Sequence, residues 1–337
     1  MTEASATSLS SDLSAAQQQF QSLREFIGTL VIGQQQLVES MLVALLADGH
    51  MLVEGAPGLA KTRAINVLGL GVEADFQRIQ FTPDLLPADL TGTEVYRPQD
   101  GSFRFEHGPL FHNLVLADEI NRSPAKVQSA LLEAMAERQI TVGRKTYPLP
   151  PLFMVMATQN PIEQEGTYPL PEAQLDRFLL YVRIGYPEAA CEREILALVR
   201  REARQTVGDE PPAPTFGALR QAVLFEARRE VLDLYMAEPL EEYILQLVLA
   251  TRSPGAYSAD LPRWLQYGAS PRATIALDRC SRARAWLRGR NYVVPEDIQA
   301  LAPDILRHRL ILSYEAEAEG VTVDRIIDEL LRRIAVP

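Results

Sequence analysis

The chain has 337 residues, 47% apolar and 23% charged, which excludes a fibrous or wholly disordered protein. Its 33 Lys and Arg against 44 Asp and Glu leave a net charge of −11, which argues against a general nucleic-acid coat. The two cysteines, Cys191 and Cys280, have no partner motif nearby, which excludes a disulfide framework and a CxxC metal site and fits a reducing compartment, so the expected location is the cytoplasm.

The N-terminal stretch lacks the cationic start and apolar core of a secretory signal, and residues 1–20 read as a disordered leader running into a first helix. Leu37, Met41, Ala44 and Leu45 recur at helical spacing within Gln34–Ala47, and Asp48-Gly49 ends that helix. The most apolar run, Met41–Ala47, falls far short of the ~20 residues of a bilayer span, so no membrane crossing is predicted. His50–Val53 reads as a short strand leading into a Gly-Pro-Gly loop, and Phe76–Phe81, Asn113–Ala117, Leu152–Ala157 and Phe178–Ile184 read as further strands. Continuous apolar strands spaced by helices predict an α/β fold with a parallel sheet covered on both faces. From Glu188 the pattern turns helical, as in Ala273, Leu277, Cys280, Ala283 and Leu287, and Pro295 opens a helix with Glu296 and Asp297 in its first turn. Residues 208–214, GDEPPAP, read as a loop or linker. The expected organisation is an α/β core over 21–187 and a smaller all-α domain over 188–337, without internal repeats.

Gly55-Ala56-Pro57-Gly58-Leu59-Ala60-Lys61-Thr62 lies between the first strand and a helical run from Arg63 to Leu68, the context of a phosphate-binding loop. Small residues let backbone N–H groups surround phosphate oxygens, and the following helix adds its positive end. Lys61 would reach the β- and γ-phosphates and the Thr62 hydroxyl would bind Mg²⁺. Ala60 stands where glycine is usual, and its methyl group would crowd the loop.

Leu114–Ala117 ends in Asp118 and Glu119. Ligands of such sheets sit beyond the carboxyl ends of the strands, so Asp118 would hold Mg²⁺ and Glu119 would orient and deprotonate an attacking water. Taken alone, the pair reads as a solvated strand end; with Lys61 and Thr62 upstream, the nucleotide reading prevails. A third strand end carries Asn160, placed to hydrogen-bond the γ-phosphate or the water, although Asn-Pro is also a common turn. The four histidines show no metal-ligand spacing, the two tryptophans read as packing, and Arg282, Arg284, Arg288 and Arg290 read as a solvated helix face.

In this order the residues resemble an AAA+ ATPase of the MoxR family. The resemblance rests on Val31-Ile32-Gly33-Gln34, GAPGLAKT at 55–62, RIQFTPDLLPADLTG at 78–92, LVLADEINRSPAKVQSALLEAMAERQITV at 114–142, MATQNPIEQEGTYPLPEAQLDRF at 156–178 and GASPRA at 268–273. It implies a P-loop α/β core, a helical lid and a ring, usually a hexamer, with ATP between subunits. Alanine at the position of Ala60 is usual in that family. Arg177 matches the arginine finger that reaches a neighbour's γ-phosphate, and Arg272 matches the sensor arginine of the lid. The family also carries two inserts, for which the candidates are Thr93–Phe111 and Gln139–Leu149. Each reads as two short strands joined by a turn. Projecting hairpins would touch a substrate in a central pore, or else their aromatics pack the hairpins themselves.

The resemblance implies an ATPase that remodels or matures partner proteins, commonly with a protein carrying a von Willebrand factor A domain. The alternatives are a chelatase motor subunit, a nucleic-acid motor and a nucleotide-switched scaffold. No recognisable porphyrin-binding feature supports the first. The acidic charge and the absence of an appended DNA-binding module count against the second. Intact Lys61, Asp118 and Glu119 count against the third.

Overall fold

The computed structural model describes residues 13–99, 101–162, 166–207, 216–257 and 260–337. It opens with helices α1 (Ala15–Leu30) and α2 (Gln35–Leu46). Ser14 and Gln17 form a capping box at the start of α1: Ser14 Oγ accepts from the Gln17 N–H at 3.1 Å, and Gln17 Oε1 accepts from the Ser14 N–H at 2.9 Å. The leader expected over 1–20 is therefore helical from Ala15 onward, since the box satisfies donors that a first turn leaves free. Residues 1–12 lie outside the described residues, as do Asp100 in the first hairpin turn and the 208–214 linker.

The chain continues through β1 (Met51–Glu54), α3 (Lys61–Gly71), β2 (Phe76–Gln80), α4 (Pro87–Thr91), β3 (Gly92–Arg97), β4 (Ser102–His107), β5 (Leu114–Asp118), α5 (Ala125–Glu137), β6 (Gln139–Val142), β7 (Lys145–Pro148), β8 (Met154–Gln159), α6 (Glu172–Leu175) and β9 (Leu180–Arg183). Five strands form one parallel sheet in the order β2-β5-β8-β1-β9. The expected strands all appear in it. Alternate residues of β5 feed opposite faces: Leu114 and Leu116 join the core that contains α1, α2 and α3, whereas Val115 and Ala117 join the core under α5. Burial on both faces is why β1, β5 and β8 read as apolar runs, whereas the edge strand β2, Phe-Gln-Arg-Ile-Gln, buries only Ile79. Because the strands are parallel, all their carboxyl ends emerge on one edge of the sheet.

The two expected inserts are antiparallel hairpins, β3–β4 and β6–β7. Phe105 of the first stacks on Tyr147 of the second at 4.2 Å, and His107 of the first meets the same ring edge-on at 6.2 Å, so the hairpins join through aromatic rings. Tyr96 and Phe103 instead stand 54% and 65% exposed, with ring centroids 5.2 Å apart. The aromatics thus divide between packing and exposure.

The second half contains α7 (Ala189–Val207), α8 (Gln221–Asp233), α9 (Glu238–Arg252), α10 (Leu261–Trp264), β10 (Leu265–Tyr267), α11 (Pro271–Leu287), α12 (Pro295–Leu306), β11 (Ile311–Leu312), α13 (Tyr314–Ala318) and α14 (Val323–Arg333). It is helical but not all-α, since β10 and β11 pair antiparallel. The arginine run is not a solvated face either. Arg284 and Arg290 reach the fully buried Asp297 at 2.8 and 2.6 Å, and Arg284 and Arg288 reach Glu39 at 3.1 and 3.2 Å. One apolar core runs from Phe20 and Met41 through Leu180 to Leu247, Trp286 and Ile326, joining both halves. Among the described residues, no helix is long and apolar enough to cross a membrane.

Candidate active site

Beyond β1 the chain turns through residues 55–60 into α3. Buried Ala56 and Leu59 anchor the turn, while Pro57 and Gly58 are exposed. Gly55 has no room for a side chain: a Cβ there would lie 2.5 Å from Ile184 Cγ1. Gly58 and Ala60 are left-handed, at φ +83° and +60°. Alanine at position 60 therefore carries a conformational cost of roughly 1–2 kcal/mol. Lys61 Nζ donates to the carbonyls of Gly55 and Gln159. Partial burial pulls its pKa below the ordinary lysine value, against the raising influence of Asp118, Glu119 and Glu54. Thr62 follows in the first turn of α3.

Strand register brings the carboxylates to this loop. Gln80 pairs with Asp118 between β2 and β5, and Val53 pairs with Thr158 between β1 and β8. Asp118 is 8% exposed and accepts from the Thr158 hydroxyl at 2.6 Å and from Arg78 at 2.7 Å. Thr158 Oγ1 in turn accepts from the Glu119 N–H at 2.9 Å, which tethers Glu119 at φ +57°. The Glu119 carboxylate accepts from Gln80 at 2.8 Å and from Arg122 at 3.3 Å. Asn160 is buried one residue past Gln159, with Oδ1 accepting from the Ile162 N–H at 3.1 Å and Nδ2 without a partner among the described residues. A glycine-walled turn, an ammonium above it, a carboxylate pair and an orphaned buried donor fit a Mg²⁺-bound nucleoside triphosphate. Thr62 and Asp118 would hold the metal, with Arg78 giving up its place on Asp118.

Arg177 and Arg272 are elsewhere. Arg177 lies just before β9, where the Leu179 N–H donates to the His50 carbonyl at 2.8 Å, beside the amino end of β1. Its guanidinium donates to the Leu132 carbonyl at 2.8 Å. Arg272 lies 3.6 Å from Asp176, and Ser270, which caps α11, donates to the same carboxylate at 2.9 Å. The two arginines line one cavity of about 280 Å³ with Arg138, Arg279 and Arg309. His50 in its wall is neutral at pH 7, its pKa pushed down to about 4 chiefly by burial and next by Arg138. The sheet separates this cavity from the phosphate loop by the length of β1, four residues or ~13 Å. The structure thus gathers Lys61, Thr62, Asp118, Glu119 and Asn160 at the carboxyl edge, and Arg177 and Arg272 at the amino edge.

Residues 50–180 match the family described as ATPases associated with various cellular activities (AAA), and residues 263–330 match its AAA lid domain. The chain is 46% identical to Chaperone MoxR1 of Mycobacterium tuberculosis, over 91% of this chain and 80% of that protein. It is 33% identical to protein MoxR of Methylorubrum extorquens, over 89% of this chain and 90% of that protein. The chain belongs to the MoxR family of AAA+ ATPases. A crystal structure from Cytophaga hutchinsonii, 45% identical, superposes with a TM-score of 0.87 over 96% of each chain.

Three polar residues of this MoxR-family site escaped the sequence reading: Arg78, Gln80 and Thr158. Each lies at or near the carboxyl end of a strand beside the one carrying Asp118. Thr158 near the end of an apolar strand, and Arg78 and Gln80 on the mixed strand β2, gain meaning only once the strand order is known.

Proposed function

We propose that this protein hydrolyses ATP in a head-to-tail ring, six-membered by family resemblance, and uses the cycle to remodel partner proteins. The observation that carries this reading is the placement of Arg177 and Arg272 on the edge opposite Lys61 and Glu119. A subunit so built offers a phosphate site on one side and a cluster of arginines on the other, and repeated heterologous contact between those sides closes a ring.

Magnesium, when bound, supplies positive charge against the phosphate oxygens. Lys61 leaves its carbonyl acceptors to bind phosphate, and Asn160 Nδ2 donates to the γ-phosphate or to the attacking water. Glu119 accepts the water's proton, and its left-handed backbone, pinned by Thr158, aims the carboxylate. The neighbour's Arg177 and Arg272 stabilise the charge that develops on the transferred group. The partner that the resemblance implies is a protein with a von Willebrand factor A domain. Capture of such a protein by an ATP-loaded Glu119→Gln ring is the expected result.

Mixing tests the assignment. Arg177→Ala and Glu119→Gln should each be nearly inactive alone, with losses of about 10³–10⁵ for a finger and 10²–10⁴ for a general base. Mixed rings should regain turnover where an Arg177→Ala subunit offers its nucleotide to the intact finger of a Glu119→Gln neighbour. Freely exchanging mixtures that stay inactive would refute the shared site.

A further inference from the structure

The cavity at the amino edge carries more positive charge than its own carboxylates balance. Asp48 pairs with Arg138 at 2.9 Å and with Arg228 at 2.6 Å. Asp176 pairs with Arg309 at 2.8 Å and lies 3.6 Å from Arg272. Among the described residues, Arg177 is held by the uncharged Leu132 carbonyl alone. Arg279 is exposed and has no ion pair or hydrogen bond among the described residues. It follows Arg272 by seven residues on α11, so the two share a helix face ~10 Å apart, with Ile275 and Ala276 lining the cavity between them.

We propose that Arg279 is a third phosphate-binding cation, gripping the adjacent subunit's nucleotide beside Arg177 and Arg272. This inference rests on the shared-site reading above. Its ligand is a nucleoside triphosphate rather than a protein carboxylate. Guanidiniums spread over ~10 Å of one cavity suit an elongated polyanion, whereas a single carboxylate would satisfy one of them at most twice. No element of the family resemblance assigned a role to this arginine.

The test uses the full chain carrying Arg279→Ala, with Arg279→Lys as the conservative partner. An exposed, unpaired arginine leaves the fold intact when truncated, which circular dichroism checks. Arg279→Ala should bind ATP as a dilute subunit with parent affinity, yet show a KM for ATP about tenfold higher once assembled, the loss of one charge-assisted hydrogen bond. Arg279→Lys should recover part of that loss. In mixtures with a large excess of Glu119→Gln, nearly every active site belongs to an Arg279→Ala subunit facing a neighbour with intact Arg279, and its KM should return to the parent value. A parent KM in the pure Arg279→Ala ring overturns the inference. So does a KM that stays raised in the mixture, which would place Arg279 in its own subunit's site. Assembly weakened equally with and without ATP, read by analytical ultracentrifugation, also overturns it, because that marks a protein carboxylate as the partner. If Arg177→Ala and Glu119→Gln mixtures recover while Arg279→Ala is silent, the shared site stands and this inference alone fails.

Discussion

Thr158 shows how one hydroxyl organises the carboxyl edge of the sheet. It donates to Asp118 and accepts from the backbone of Glu119, so it sets both carboxylates at once. Thr158→Val keeps the shape and removes both bonds, leaving a buried carboxylate short of a donor and a backbone N–H unpaired. The expected cost is about 1–3 kcal/mol for each group left unsatisfied, read as a lower urea midpoint at unchanged slope. Turnover should fall more than ATP affinity, because Lys61 and its loop are untouched. An unchanged kcat would show that Glu119 needs no such tether. Asp118 and Glu119 were legible in the sequence because an apolar run ending in two acids is a local pattern. Thr158 was not, because its meaning depends on which strand lies beside β5. The left-handed backbone at Ala60 and Glu119 was equally hidden, since nothing in either residue type announces a positive φ.

At the level of elements, the central strands β1, β5 and β8 were legible because burial on both faces leaves an apolar signature, while the edge strand β2 shows only Phe76 and Ile79 among polar residues. The β10–β11 pair is too short to leave any periodicity, so the lid read as purely helical. The arginines from 282 to 290 misled for another reason: spacing shows that they share a helix and its end, but not which acids lie opposite. Buried Asp297 is the decisive one, tying the end of α11 to the start of α12 through Arg284 and Arg290 and accepting the Val294 N–H at 3.1 Å. Asp297→Ala would strip Arg290 of its carboxylate in a poorly solvated seam and leave Arg284 to Glu39. The expected loss is about 3–5 kcal/mol, measured by chemical denaturation. A loss below about 1 kcal/mol would mean that solvent reaches those arginines freely.

For the molecule as a whole, motifs single out the candidate residues but not that they divide between two edges. Glu119, Asn160, Arg177 and Arg272 stand as one set along the chain, and only the parallel sheet shows that β1 separates two of them from the other two. That separation has a consequence for populations. On the proposed reading, a subunit carrying both Glu119→Gln and Arg177→Ala silences its own site and also that of the neighbour relying on its finger. Activity then depends on adjacent pairs of parent subunits, so it falls with the square of their fraction. Equal blending should leave about a quarter of the parent rate, whereas self-contained sites would leave about half. A cell with one intact and one doubly damaged copy of the gene would lose more than half of its activity, making the damaged form a dominant poison rather than a diluent.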